Sequence, residues 1–449
     1  MTATGTHHGV SELGKRAPML SSAGAGGLAR AHPSVPLVID RWKGYSVLSR
    51  LLAPLLLLML VLATSAANAD SPGLAINGIG RVPLPPGPLG ARAHSRTQPP
   101  DSPVTHDVVG VPLWQSTFNY GGQLWGAAMV GTDPANGSTT TVVPVTIVPL
   151  RVTFASDGLV QEYSGMAEEL AASALFQPFP WVTGYTQYVD AFRRGDFWPA
   201  VTTTSPDYHL LLGAPRIAAV QQLTVPASKG LTVYTPAANR RLGIVEGTWF
   251  YNQIKQMVAS LQIDPRSLVV FLGYNLEFTY DATTPDACFT TGCLRYAGVH
   301  GALDNGPQLR SPQVPRSVNT YVYASFEDPG DLVPPSINFH LAAVSHELLE
   351  WANDPIALNA YPNAKFGYTY FASGVPSWSS PYWGGGCSIA YEVADPLDST
   401  GIAVPNGSHY DVFAAAVFQS WFARQSPSTA VLGLYDTGGY FSTYAAACP

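Results

Sequence analysis

Charged residues are scarce in this chain. Asp, Glu, Lys and Arg make up 12% of its 449 residues, about half the ~25% usual for soluble domains. What charge there is has the wrong sign for a nucleic-acid surface: 23 Lys and Arg face 30 Asp and Glu, a net of −7, so no nucleic acid is expected as a partner. Disorder over the whole length is excluded too. It needs low hydrophobicity with high charge, and 46% of the residues are hydrophobic. Gly 42 and Pro 39 leave no room for a coiled coil. Gly-x-Ser-x-Gly is absent, which removes the nucleophile of an α/β-hydrolase. No Gly-rich phosphate loop opens a helix.

Long apolar runs are also lacking, with one exception. Residues 51–63, LLAPLLLLMLVLA, follow Arg41, Lys43 and Arg50 and precede Ala67-Asn68-Ala69. A basic flank, a short apolar stretch and a small-x-small site describe a secretory signal peptide. Thirteen residues fall short of the roughly 20 that span a bilayer, so no stable membrane span is expected after cleavage at Ala69. The polar leader ahead of Arg50 is long for such a signal. Removing 1–69 takes away six basic and two acidic residues and leaves 17 basic against 28 acidic, a net of −11. An acidic, aromatic-rich exported chain is expected outside the cell or at its surface.

There are only four cysteines, all in the exported part: Cys288, Cys293, Cys387 and Cys448. An even count in an exported chain predicts two disulfides. Three connectivities are possible. Cys288–Cys293 is the local choice, and Cys387–Cys448 then ties the chain end to the core. The alternative, a four-cysteine zinc site, lacks the paired knuckle spacing.

Residues 70–107 form a Pro-rich linker, with VPLPPGPLG and TQPPDSP reading as extended. Residues 108–449 read as one mixed α/β domain with a β-rich start over 108–156. Segments 123–131 and 139–154 are apolar and β-branched, separated by Asp-Pro and Asn-Gly turn chemistry, and predict a hairpin or neighbouring strands. Helical spacing follows over 159–175 and 186–194. Strands are expected at 208–212, 231–235, 268–272 and 320–325, and helices at 241–261, 337–353 and 412–423. Interleaved helices and strands predict helices layered on a mixed sheet. Residues 356–405 form a long Gly- and aromatic-rich stretch. Tyr368, Tyr370, Trp378, Tyr382 and Trp383 there are candidates for a polymer-binding cleft or for a loop packed by its own rings.

The sharpest string is Ser345-His346-Glu347-Leu348-Leu349-Glu350-Trp351. At about 100° per residue, His346 and Glu350 lie about 40° apart on a helix, and Glu347 falls within the same ~100° sector. This is the HExxH layout of zinc hydrolases with Glu350 in place of the second histidine. His346 and Glu350 can reach one Zn²⁺, and Glu347 can polarise or deprotonate its water. A carboxylate ligand weakens the Lewis acid and admits other divalent cations. On this reading Glu350→His rebuilds HExxH and keeps the metal. The competing reading is a solvated acidic helix face. A third ligand is sought downstream, with Glu392 as first choice and Asp395 as second. His300 is a possible electrophile or ligand, while His209 and His340 read as structural.

VSHELLEWANDP at 344–355, followed by Cys387 and then Glu392-Val393-Ala394-Asp395-Pro396, resembles a family of exported bacterial proteins of zincin-metallopeptidase type. It is more loosely similar to plant EXORDIUM-like apoplastic proteins. TQYVDAF at 186–192, GDFW at 195–198 and WFARQ at 421–425 share the resemblance, which covers roughly residues 110–449. The resemblance implies a zincin-like fold: a twisted mixed sheet with the HExxE helix packed against it. It also implies His346 and Glu350 as ligands, Glu347 as base and the Glu392/Asp395 pair as partners. The function expected is a secreted zinc peptidase acting on a polypeptide or cell-wall polymer. The alternative is a non-catalytic extracellular, cell-wall or glycan-binding protein on a degenerate zincin scaffold.

Overall fold

A computed structural model describes residues 108–235, 239–279, 295–304, 316–328, 340–356, 375–379, 387–388, 391–397, 401–406, 408–413, 419–439 and 441–448. The signal, the linker, Cys288–Cys293 and four of the five aromatics singled out above lie outside them. Within them the chain is mixed α/β, with one large sheet, several small sheets and six α-helices. No helix among the described residues is long and apolar enough to cross a membrane.

Three parallel strands make the centre: Val145–Phe154, Leu268–Tyr274 and Arg316–Phe326, with the second between the other two. The middle one, LVVFLGY, is a nearly unbroken apolar run, as expected of a strand covered on both faces. Alternation divides all three strands. Ile147, Val270, Leu272, Val322 and Ala324 join the core on one face, which holds the helix Ala342–Asn353. Val148, Val269, Phe271, Tyr321 and Tyr323 join the core on the other, which holds Phe250, Ile254 and Val258 of the helix Gly247–Ser260. The strand Gly298–Asp304 runs antiparallel along Arg316–Phe326, with His300 opposite Val322. Val299 and Leu303 belong to the second face, so Gly298 and His300 look towards Ala342–Asn353.

Several elements differ from expectation. Gln123–Val130 pairs not with its downstream neighbour but back onto Leu113–Tyr120. Gly121 and Gly122 join them at φ 62° and 75°, the left-handed pair that a two-residue hairpin turn requires. Thr140–Val143 instead runs parallel to His209–Leu212. The helix expected over 241–261 begins only at Gly247. Arg240–Glu246 is a strand between Gly230–Thr235 and Leu276–Thr279, because sheet partners override a spacing of apolar residues that suits either state. Glu246 then caps the helix, accepting from the Thr248 and Trp249 amides at 3.0 and 2.9 Å. Helix appears at Met166–Ala172 and Tyr188–Asp196. Near the C-terminus, Val412 and Phe413 end the strand Ser408–Phe413, and of the helix expected over 412–423 the described residues show Gln419–Phe422.

The Cys387–Cys448 disulfide is present, with Cα atoms 5.9 Å apart. It links the outer strands of a small sheet whose middle strand is Trp378–Ser379. Trp378 is buried there against Trp421 and Phe422, ring centroids 5.6 and 6.0 Å away. It is a core residue, not a cleft lining.

One buried carboxylate sets a pH dependence. Asp196 accepts from the Gln419 amide, and burial pushes its pKa up from 3.8 to about 7. Because the folded-state pKa is the higher one, the folded state holds the proton over that window. Stability is therefore fullest below about pH 4 and falls as pH rises to about 7, by at most ~1.4 kcal/mol per pH unit for one group. Asp196→Asn is expected to flatten this slope. Urea midpoints at pH 5 and 8 measure it, and an unchanged slope in the variant counts against the assignment.

Candidate metal centre

The helix Ala342–Asn353 is buried along its whole length. It lies between the sheet strands Gly298–Asp304 and Arg316–Phe326 on one side and Gln123–Val130 and the helix Tyr188–Asp196 on others. It ends at Asn353, as Pro355 requires. The competing reading of a solvated acidic helix face is thereby corrected. Its polar residues face an interior, not solvent, so each needs a partner.

Three segments supply those partners. His346 Nε2 lies 3.1 Å from Glu350 Oε1 and 3.5 Å from Asp395 Oδ1. Glu350 Oε1 also accepts from the amides of Ala394 and Asp395, at 3.2 and 3.3 Å. On the edge strand, His300 Nδ1 lies 3.1 Å from Glu347 Oε2 and 3.6 Å from Glu350 Oε2. His300 Nε2 faces Glu392 Oε2 at 3.6 Å. Asp354, just past the helix end, comes within reach of His300 and Glu392. His346, Glu347 and Glu350 are 0% exposed, His300 2% and Glu392 6%.

Backbone geometry makes the arrangement possible. A Cβ on Gly298 would lie 2.5 Å from Glu347 Oε1 and 2.6 Å from its Cγ. Glycine there lets the Glu347 side chain lie across the edge strand. The Cys387–Cys448 bond and the 3₁₀ turn Asp395–Leu397 fix the approach of the third segment.

Electrostatics follow from five carboxylates and two imidazoles sharing one interior. Burial lowers the pKa of His346, but Glu350 and Asp395 outweigh it and leave it well above its ordinary value. His300 is raised too, by Glu347 against burial. Burial raises Glu347, and burial together with Glu350 and Asp354 holds Glu392 well above the usual carboxylate range. For Glu350, His346 outweighs burial and the pKa falls.

The geometry suits a cation. Donors about 2.1 Å from one ion sit roughly 3.0–3.5 Å from each other, close to the separations seen here. Three sets offer ligand atoms within 4.8 Å of one another: His346, Glu350 and Asp395; His300, Glu347 and Glu350; His300, Asp354 and Glu392. Glu347 Oε1, Glu350 Oε2, His300 Nε2 and Glu392 Oε2 are buried with no hydrogen-bond partner among the described residues. Buried polar atoms are costly unless a partner such as a cation meets them.

Of the two downstream acids, Asp395 sits beside His346, while Glu392 sits beside His300. His300, given above only as a possible ligand, stands inside the cluster. Asp354 read as no more than part of a helix stop. The signal for His300 was slight: a histidine and Gly298 on the strand face opposite Val299 and Leu303. His209 lies elsewhere, paired with Asp190 at 2.8 Å. His340 stacks on Phe326 and faces Asp328 at 3.3 Å.

Compared with protein-family models, curated proteins and solved structures, the chain matches none. The family resemblance therefore stands on the 344–355 and 387–396 residues and their companions alone.

Proposed function

We propose that the chain is an exported metal-dependent hydrolase of zincin-like type, acting on a polypeptide or wall polymer. Zinc is held by His346, Glu350 and Asp395, and Glu347 is the general base. One observation carries this reading. In a chain with 12% charge, two imidazoles and five carboxylates from three segments converge in the core with their polar atoms facing one another. A cation held there supplies Lewis acidity to a substrate oxygen. The side chains do the rest. His300 occupies Glu347 Oε2, leaving Oε1 as the oxygen that takes the proton from the attacking water. Gly298 keeps that carboxylate across the edge strand, beside the ligand helix.

Glu347→Gln is expected to cut hydrolysis about 10²–10⁴-fold while the zinc content stays that of the wild type. His346→Ala is expected to lose the zinc. Elemental analysis and a protease assay on the same preparations check both. Equal zinc loss in the two variants, or none bound by the wild type, counts against these roles.

The alternative role is a closed structural metal site. It is favoured by the complete burial of His346, Glu347 and Glu350, which leaves no ligand open to solvent. A wild type that binds zinc stoichiometrically and hydrolyses neither peptides nor peptidoglycan selects it.

A further inference from the structure

We propose that His300, Glu392 and Asp354 form a second divalent-cation site, sharing no ligand with His346, Glu350 and Asp395. The proposal rests on the reading that this interior binds metal at all. It goes beyond that reading in the number of ions and in the work given to His300.

The first argument is composition. Each set has one imidazole and two carboxylates, with ligand atoms within 4.8 Å of one another. Each is neutral with one divalent ion. The second is the state of His300. Glu347 Oε2 lies 3.1 Å from Nδ1, and a carboxylate there fixes the proton on Nδ1 and turns the Nε2 lone pair outward, the arrangement that orients metal-bound histidines. That Nε2 points at Glu392 Oε2, 3.6 Å away. The distance is too long for a hydrogen bond, and neither atom has a hydrogen-bond partner among the described residues. His300 is 2% exposed. Two buried acceptors facing each other just beyond hydrogen-bond range are what one ion between them would need.

The third argument is ligand chemistry. One imidazole with two carboxylates suits Zn²⁺, Mn²⁺ or Fe²⁺ and not a soft ion such as Cu⁺.

The test uses the full exported chain, stripped with chelator, loaded with Zn²⁺ or Mn²⁺ and desalted. Wild type is expected to hold two ions per chain, and Glu392→Gln and His346→Ala one each. Loaded with Mn²⁺, the wild type should give an electron paramagnetic resonance spectrum broadened by interaction between two neighbouring ions, since His300 and Glu350, one from each set, have side-chain atoms 3.6 Å apart. One ion in the wild type, kept by Glu392→Gln and lost by His346→Ala, overturns the second site and leaves the first. One ion kept by His346→Ala and lost by Glu392→Gln overturns the first and leaves the second. No ion in the wild type overturns both. If circular dichroism shows Glu392→Gln unfolded, the wild-type count and the Mn²⁺ spectrum decide: two neighbouring ions sustain the proposal, and a single isolated ion overturns it.

Discussion

Arg193→Leu destabilises the fold by about 3–5 kcal/mol, because it strands buried acceptors that each cost about 1–3 kcal/mol when left unsatisfied. Arg193 is 0% exposed. Its Nη1 donates to the Val130 carbonyl at 2.8 Å, at the end of the N-terminal hairpin. Its Nη2 donates to the Ala352 carbonyl at 2.8 Å and to Asn353 Oδ1 at 2.9 Å. Ala352 is among the last carbonyls of the ligand helix, which have no partner within the helix, and a cation there also meets the negative end of its dipole. One guanidinium thus joins the hairpin, the helix Tyr188–Asp196 and the helix Ala342–Asn353. Leucine fills part of the volume and leaves three buried acceptors unmet. Arg193→Lys is not expected to rescue, because an ammonium lacks the planar fork. Arg151→Ala is the contrast. Its 2.8 Å pair with Glu162 is more than a third exposed on both sides, and such pairs contribute about 0–1 kcal/mol. Urea denaturation of the three variants measures the difference. An Arg193→Leu midpoint close to that of Arg151→Ala would remove Arg193 from this role.

The same residue marks where sequence reading ended. The central strands were legible because their apolar runs need no partner to be recognised. So was the ligand helix, since His346, Glu347 and Glu350 keep helical spacing in a chain poor in charge. Its complete burial was not legible, because Val344, Leu348 and Ala352 account for one face only. The other face is covered by Gln123–Val130 and Tyr188–Asp196, more than 140 residues upstream. Leu113–Tyr120 was missed because LWQSTFNY mixes polar and aromatic residues and is a strand through its partner. Arg240–Glu246 was read as helix because Val245 and Trp249 satisfy a helical period, and pairing with Leu276–Thr279 decides otherwise. His300 depends on the register of an antiparallel edge strand, and no local pattern carries a register. Asp354 and Glu392 enter the cluster for the same reason, through contacts distant in sequence.

Glu350→His is expected to lose both metal and stability, the reverse of what the HExxH comparison suggests. Seen in sequence, the substitution restores a two-histidine helix. In the fold, Glu350 Oε1 accepts from the Ala394 and Asp395 amides while lying 3.1 Å from His346 Nε2. The carboxylate therefore fastens the 391–397 segment to the helix and, with it, fixes Asp395 as a ligand. An imidazole nitrogen has one lone pair. If it meets a cation, two buried amides go unsatisfied at about 1–3 kcal/mol each, and Asp395 loses its anchor. Glu350→Gln separates the two roles. Its amide oxygen still accepts from both backbone groups, so the fold is kept, but the donor loses its charge. Zn²⁺ affinity is expected to drop by at least the 10–100-fold seen for lost supporting contacts around metal ligands. Thermal melts with and without Zn²⁺, beside calorimetric titrations, read both effects. Glu350→Gln should melt with the zinc-free wild type and gain little from zinc, and Glu350→His should melt below both. A Glu350→His variant with wild-type stability and intact Zn²⁺ binding would mean that the helix alone, not its junction with the 391–397 segment, makes the site.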